Sequence, residues 1–135
     1  MPAGLPPSAP TRILIVDDDV LFVEMLRSAL VAYEDFEVVG TARNGQEACN
    51  HAVELKPSVV LMDVSMPVLD GVEATRRIQR LDEPPAVVLI TGDETEAYDA
   101  AAYEAGAAAY LRKSADLPML VSVIVAVSRL AAAPA

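Results

Sequence analysis

Four aspartates and a lysine are the residues of this chain whose types and positions could do chemistry. Asp17, Asp18 and Asp19 directly follow one apolar run, Asp63 directly follows another, and Lys113 is one of only two lysines. Two carboxylates about 4 Å apart repel each other by roughly 4 kcal/mol at an effective dielectric of about 20. A cluster of them therefore requires a cation or a shifted pKa. A hard divalent ion with oxygen ligands, most simply Mg²⁺, would meet that requirement.

The same residues favour phosphoryl chemistry. Asp63 is the candidate nucleophile, because a carboxylate can form an acyl phosphate when a cation neutralises the incoming oxygens. Lys113 offers a compact, mobile ammonium that can pair with a phosphoryl oxygen. Thr91 ends a further apolar run and offers a hydroxyl to the same group. We interpret the three side chains as parts of one site.

The apolar runs predict the strands that must position this site. The runs cover residues 13–16, 38–39, 59–62 and 87–90, with a fifth candidate at 108–111. The three longest are unbroken rather than alternating, which is typical of strands buried on both faces of a parallel sheet. Segments with helical spacing alternate with them, at residues 19–32, 45–55, 72–81, 94–105 and about 115–130.

Five alternating strand and helix segments predict an α/β fold, an open parallel sheet with helices on both faces. Ligands of such sheets bind outside the carboxyl ends of the strands, where all of the candidate side chains fall. Asp19 and Asp70 are predicted N-caps, and Gly106 a predicted C-cap. In the first helix, we expect one set of apolar residues to face the core: Leu21, Met25, Leu26, Ala29 and Leu30.

Length and composition indicate a single globular domain. The 135 residues are 53% hydrophobic, and the net charge of −10 argues against direct binding to nucleic acid. The sequence has neither a secretory signal nor an apolar run long enough to span a membrane. The single cysteine, Cys49, fits a reducing cytoplasm. We expect a cytoplasmic protein with a flexible tail at residues 1–10, a domain at 11–131 and a short tail at 132–135.

At these residues the chain resembles the receiver domains of bacterial two-component response regulators. The resemblance covers residues 12–130 and implies a flavodoxin-like, doubly wound (βα)5 fold with a five-stranded parallel sheet in the order 2-1-3-4-5. No single segment is specific, but several occur in the right order and at strand ends. The segments are Ile13–Asp18, Val59–Asp63, Met66–Pro67 with Asp70–Gly71, Thr91–Gly92 and Tyr110–Lys113.

The resemblance implies a phosphorylation site and a metal site that share residues. Asp63 would accept a phosphoryl group from a sensor histidine kinase or a small phosphodonor. Asp18 and Asp63 would bind Mg²⁺ directly, together with the backbone carbonyl of Ser65, and Asp17 would act largely through water. The chain would then be a signalling domain that catalyses only its own phosphorylation and dephosphorylation, and not an enzyme.

The resemblance also implies a switch. Thr91 and Lys113 would contact the phosphoryl group, and Tyr110 would be the aromatic residue whose rotamer couples the site to an output surface. A half-buried strand tyrosine without any such role is the alternative explanation for Tyr110. The helix predicted at 94–105 is rich in alanine, so we expect it to shift at little energetic cost.

Three residues after the predicted strands bear on the resemblance: Ser65, Asp93 and Ser114. Many receivers have proline after the lysine, but this chain has Ser114, for which we predict a trans peptide bond. The Lys-Ser pair is familiar in receivers of LuxR/NarL-type regulators, and no DNA-binding domain follows it in this chain. Asp93 and Ser65 occupy positions that tune dephosphorylation in the family, and we hypothesise that Asp93 influences the attacking water.

The first and last helices are apolar over most of their circumference, which predicts an interface. An amphipathic surface helix has a narrower apolar stripe. We therefore expect a homodimer, or the docking of a partner, through residues that include Phe22, Val123 and Val127. The alternative is that both helices are simply well buried. The sequence identifies no output partner.

Two other function classes remain open. A haloacid-dehalogenase-type phosphatase also uses an aspartate, Mg²⁺ and a lysine, but its Asp-x-Asp-x-Thr/Val pattern fails here at Leu21. A pseudo-receiver would be a protein-binding module that never takes phosphate, yet none of the acidic or lysine positions is missing. Turnover of a phosphate monoester would indicate the first, and failure to take up a phosphoryl group would indicate the second.

Overall fold

The computed structural model describes residues 9–92 and 99–132 of the chain. The predicted tails therefore fall largely outside the described residues, as do Asp93 and the start of the helix predicted at 94–105. The strands are β1 Thr11–Val16, β2 Phe36–Ala42, β3 Val59–Asp63, β4 Ala86–Thr91 and β5 Ala109–Arg112. The helices are α1 Val20–Val31, α2 Gly45–Leu55, α3 Gly71–Ile78, α4 Asp99–Ala105 and α5 Leu117–Ala132. None of these helices combines the length and apolarity that a membrane span needs.

The five strands form one parallel sheet in the order β2-β1-β3-β4-β5, which confirms the predicted fold class and strand order. Strand order reverses at β1, since β2 lies on one side of it and β3 on the other. In open α/β sheets this reversal creates a crevice at the carboxyl ends of the strands. The sequence places Asp17 and Asp63 on either side of that crevice.

Each face of the sheet carries its own core, because side chains alternate along a strand. Leu14, Val16 and Met62 point toward the face that α2, α3 and α4 cover. Ile13 and Ile15 point toward the face that α1 and α5 cover. Burial on both faces explains why the strands read as unbroken apolar runs.

The buried face of α1 differs from the predicted one. Val23, Leu26 and Leu30 are buried, whereas Leu21 and Met25 are 82% and 62% exposed, so the prediction was wrong for those two residues. Val23, Leu26 and Leu30 follow the i, i+3, i+7 spacing of one helix face. Because α1 is apolar on nearly all sides, this spacing is as regular as that of the predicted core residues. The sequence pattern alone therefore left the rotation of this helix about its axis ambiguous.

Val127 was also predicted wrongly as an interface residue. Its side chain is only 4% exposed and packs in the core beneath α5 with Leu120 and Ile124. These three residues recur at helical spacing and form the stripe that faces the sheet. Val123 and Phe22 are half-buried at the edge of the same core.

The predicted helix caps are confirmed. The side chain of Asp70 accepts a hydrogen bond from the N–H of Glu73, and that of Asp19 accepts from the N–H groups at the start of α1. Gly106 has a φ of +104° directly after α4, a conformation that glycine adopts without steric cost.

Candidate functional site

The candidate site lies where four strands end side by side. Asp17 follows β1, Asp63 ends β3, Thr91 ends β4 and Lys113 follows β5. Backbone hydrogen bonds continue the sheet into these positions: the N–H of Asp17 donates to the carbonyl of Ala42 (3.0 Å), and that of Lys113 donates to Thr91 (2.7 Å). The rigid edge of the sheet therefore fixes the backbone from which each side chain extends.

Three carboxylates meet at this edge, as predicted. Asp17, Asp18 and Asp63 each offer an oxygen that lies within 4.8 Å of the others. Asp17 and Asp63 are only 2% and 7% exposed, whereas Asp18 is exposed to solvent. A set of three oxygen donors, open to water on one side, fits a hard divalent cation such as Mg²⁺, which keeps several water ligands.

Lys113 supplies the positive charge within this cluster. Its Nζ lies 2.8 Å from Oδ2 of Asp17 and 3.9 Å from Oδ1 of Asp63. Burial lowers the pKa of Lys113, but the hydrogen bond to Asp17 and the charges of both aspartates outweigh it, and the net pKa is raised. The ammonium is therefore fully charged at neutral pH. It pairs with Asp17 and lies within reach of a group bound to Asp63.

The pKa of Asp63 is raised from 3.8 to about 6. Burial is the largest cause, and the charges of Asp17 and Asp18 raise the pKa further. Lys113 and a hydrogen bond from the backbone N–H of Ser65 oppose the rise. Asp63 is thus ionised at neutral pH, but in an environment that disfavours its charge, and a bound cation would relieve this cost.

The loop between β3 and α3 carries Ser65 and is held by two close contacts that the sequence analysis missed. A Cβ at Gly71 would lie 2.3 Å from the carbonyl oxygen of Asp63, and a Cβ at Gly45 would lie 2.3 Å from that of Leu69. The N–H of Gly45 also donates to the carbonyl of Leu69 (3.0 Å). Only glycine permits these approaches, so both glycines position the loop relative to Asp63.

Thr91 and Tyr110 lie on the same face of the sheet, the face that α4 covers. The side chain of Thr91 is 3% exposed, and Tyr110 is half-buried against the core on that face. Tyr110 pairs with Leu89, which is two residues before Thr91 on β4. The two predicted switch residues are therefore close in the sheet, and the switching role of Tyr110 stays a prediction.

The connections after β4 and β5 agree with expectation as far as the structure describes them. No cis peptide bond occurs in the described residues, so Ser114 follows Lys113 through a trans bond. A Cβ at Gly92 would lie 3.7 Å from Cδ of Lys113, an ordinary contact. Alanine would fit at this position.

One aromatic neighbour of the site carried no signal in the sequence pattern. The Nζ of Lys113 lies 4.5 Å from the centroid of the Phe22 ring. Phe22 belongs to the first turn of α1, in a different part of the chain. The two residues meet because α1 and the end of β5 border the same cavity, on the face of the sheet that α1 and α5 cover.

Comparisons with known proteins agree with this geometry. The model of the response regulator receiver domain family matches residues 13–125. The transcriptional regulatory protein LnrK of Bacillus subtilis is 40% identical over 116 residues, which cover 86% of this chain and 53% of LnrK. The response regulator GacA of Pseudomonas viridiflava is 41% identical over 113 residues, 84% of this chain and 53% of GacA. The chain thus spans about half the length of these curated relatives.

A solved structure agrees as well. The signal receiver domain of the putative response regulator NarL from Mycobacterium tuberculosis superposes with a TM-score of 0.82 at 28% identity. The superposition covers 94% of this chain and all of that one. The family match spans most of the chain, and the folds coincide. The chain belongs to the receiver domain family of response regulators, the phosphoryl-accepting domains of two-component signal transduction.

Proposed function

We propose that Asp63 is the phosphoacceptor of this receiver and that its phosphorylation by a sensor histidine kinase or a small phosphodonor requires Mg²⁺. The observation that carries the proposal is the pairing of three clustered carboxylates with one ammonium, Lys113, at the carboxyl ends of the strands. Among the three, Asp63 combines a raised pKa with a position next to, but not hydrogen-bonded to, that ammonium. It therefore keeps an oxygen available for attack.

Each residue of the site has a separate role in phosphoryl transfer. A carboxylate oxygen of Asp63 attacks phosphorus, and the bond from phosphorus to the donor's imidazole nitrogen breaks with its electron pair going to the imidazole. Lys113, whose Nζ already lies 3.9 Å from Asp63, pairs with an oxygen of the transferred group, and the hydroxyl of Thr91 donates to another. Mg²⁺, held by Asp18 and Asp63 with the carbonyl of Ser65, and by Asp17 through water, would neutralise the phosphoryl oxygens.

The test is the intact mass of the protein after incubation with acetyl phosphate. We expect the wild type to gain one phosphoryl group in the presence of Mg²⁺ and none in the presence of EDTA. Asp63→Asn should gain none, whereas the control Asp82→Asn, which changes an exposed loop aspartate, should behave as the wild type. A wild type that gains nothing, or an Asp63→Asn variant that gains normally, would overturn the proposal.

We further propose that the domain acts as a cytoplasmic signalling switch and catalyses only its own phosphorylation and dephosphorylation. A haloacid-dehalogenase-type phosphatase would use the aspartate after β1, but Asp17 is 2% exposed and already ion-paired with Lys113. A pseudo-receiver is disfavoured because the acidic cluster and the lysine are intact. Turnover of a phosphate monoester would contradict the proposal.

Phosphorylation would change the surface of the domain on the face of the sheet that α4 covers. Thr91 would move toward the phosphoryl group, and Tyr110 would fill the space that it leaves. α4 contributes Ala102 and Ala105 to the core and no large apolar side chain among its buried residues. Such a weakly anchored helix can change position at little cost, which suits an element that responds to a local change of charge.

The exposed face of α1 and α5 is the proposed site for a second copy of the chain. Leu21, Met25 and Val31 on α1 are all at least half exposed, more apolar area than isolated surface residues present. Met119 and Leu130 on α5 are exposed as well, but Met119 borders a cleft with Asp99 and Tyr110 and not with α1. Val123 and Phe22 stay in the proposal as half-buried residues at its edge, and the buried Val127 does not. Isologous contact of this face would bury these side chains.

Leu21→Glu tests the proposed dimer. Burying a leucine contributes about 1.5–3 kcal/mol, and an isologous dimer loses one leucine from each copy, so we expect the dimer dissociation constant to rise by at least about a hundredfold. Val53→Glu is the matched control, because Val53 is 56% exposed on α2, which covers the other face of the sheet. Sedimentation equilibrium with beryllofluoride and Mg²⁺ would measure both variants. Equal dissociation constants for the two variants would place the interface elsewhere.

A further inference from the structure

The contact between Phe22 and Lys113 joins α1 to the phosphorylation site. The Nζ of Lys113 lies 4.5 Å from the ring centroid of Phe22, within the range at which an aromatic face attracts a cation. The same Nζ pairs with Asp17 at 2.8 Å and lies 3.9 Å from Asp63. The ammonium is thus held between one ring and two carboxylates.

Hydrogen bonds link the helix turn that carries the Phe22 ring to the aspartates of the site. Oδ1 of Asp17 accepts from the N–H of Asp19 at 2.9 Å, while Oδ2 of Asp17 pairs with Lys113. The side chain of Asp19 in turn accepts from the N–H of Phe22 at 3.2 Å and so caps α1. One carboxylate therefore holds both the ammonium and, through the cap, the helix turn that carries the ring.

We propose that Phe22 is a positioning residue that keeps the ammonium of Lys113 above Asp17 and Asp63, so that the lysine meets an incoming phosphoryl group already in place. This inference rests on the proposed phosphorylation of Asp63. The side chain of Lys113 is 25% exposed, so an ammonium without the ring could rotate toward solvent. Ordering it again during the reaction would then slow phosphoryl transfer.

An aliphatic residue at position 22 would keep the apolar packing but lose the attraction. Phe22 is half-buried at the edge of the core beneath α1 and α5. Leucine fills much of the same space but has no aromatic quadrupole, whereas tyrosine keeps the ring. The comparison of Phe22→Leu with Phe22→Tyr therefore separates the ring's attraction from its packing, and Phe22→Met provides a second variant without a ring.

The first measurement is the NMR chemical shift of the Lys113 Hε protons in the resting protein. A ring below the end of the side chain shifts these protons upfield. We expect the upfield shift in the wild type and in Phe22→Tyr, and its loss in Phe22→Leu and Phe22→Met. The shift reports contact between the ring and the lysine, and the two variants without a ring provide the baseline. If the Lys113 Hε protons of the wild type have the chemical shift of an ordinary exposed lysine, the inference is overturned.

The second measurement is the rate of phosphorylation by acetyl phosphate with Mg²⁺, followed by intact mass. We expect Phe22→Leu and Phe22→Met to react about three to ten times more slowly, and Phe22→Tyr at about the wild-type rate. Equal rates in all four proteins would overturn the positioning role while leaving Asp63 as the acceptor. A wild type that gains no phosphoryl group would overturn both proposals.

Discussion

Replacement of Lys113 by methionine is expected to lower the free energy of unfolding by about 2–4 kcal/mol at pH 7.5 without Mg²⁺. The substitution leaves Asp17 and Asp63, both almost fully buried, without the cation that pairs with them. Removal of one partner from a fully buried pair costs about 3–5 kcal/mol. The expected loss is somewhat smaller because the side chain of Lys113 is 25% exposed.

The pH dependence of this loss identifies its cause. The pKa of Lys113 is raised, so the contribution of the ion pair is fully present below the ordinary lysine value of 10.5 and disappears only as the pH rises through the raised pKa. At acid pH the loss shrinks as Asp63 becomes protonated below about 6. Urea unfolding at several pH values measures both effects. The control is Lys56→Met, which changes the other lysine of the chain. Lys56 is exposed, so its replacement should leave the free energy of unfolding nearly unchanged. A loss for Lys113→Met that does not change between pH 5 and 8 would contradict the ion-pair explanation.

The opposite sign is expected for Asp63→Asn, which should raise the free energy of unfolding by about 2–3 kcal/mol at pH 7.5 without Mg²⁺. The pKa of Asp63 is raised from 3.8 to about 6, and each pKa unit corresponds to about 1.4 kcal/mol. The charged carboxylate therefore destabilises the folded state. Asparagine has nearly the same shape and no charge, so it removes this cost.

The sign of the pH dependence follows from the same shift. A carboxyl group whose pKa is higher in the folded than in the unfolded state lowers the free energy of unfolding at high pH. For Asp63 this cost begins near pH 3.8 and is complete above about pH 6. The advantage of Asp63→Asn should therefore be present at neutral pH and absent near pH 3.5. Thermal unfolding across this range measures it. A variant less stable than the wild type at pH 7.5 would contradict the account.

Mg²⁺ should cancel most of the stability advantage of Asp63→Asn. A ligand that binds only the folded state stabilises it by RT ln(1 + [L]/Kd), which amounts to about 2.7 kcal/mol at a concentration 100 times Kd. The wild type offers three carboxylates, whereas Asp63→Asn lacks one of them. We expect Mg²⁺ to raise the melting temperature of the wild type markedly and that of the variant much less.

Much of the site was predictable because a parallel sheet brings its strand ends together. The apolar runs located β1, β3, β4 and β5, and four candidate side chains directly follow or end one of them: Asp17, Asp63, Thr91 and Lys113. No knowledge of side-chain packing was needed to expect Asp17, Asp63 and Lys113 at one edge. The order of the strands came instead from the resemblance to a family, since the sequence pattern alone does not specify which strands pair.

The wrong predictions share one physical cause. α1 and α5 are apolar on most sides, and such a pattern does not determine which side faces the sheet. Leu21 and Met25 were therefore expected in the core, whereas Val127 was expected at an interface. The contact between Phe22 and Lys113 was not predicted for a related reason. It depends on how α1 lies relative to the end of β5, and these two elements are far apart in sequence.

Chemical mapping of the phosphorylated residue tests the central claim most directly. Borohydride reduces an acyl phosphate of aspartate to homoserine, which tandem mass spectrometry of peptides locates to one position. After treatment of the wild type with acetyl phosphate and Mg²⁺, we expect homoserine at position 63 and at no other aspartate. Homoserine at position 17 or 18, or unmodified Asp63 in protein that has gained a phosphoryl group, would contradict the account.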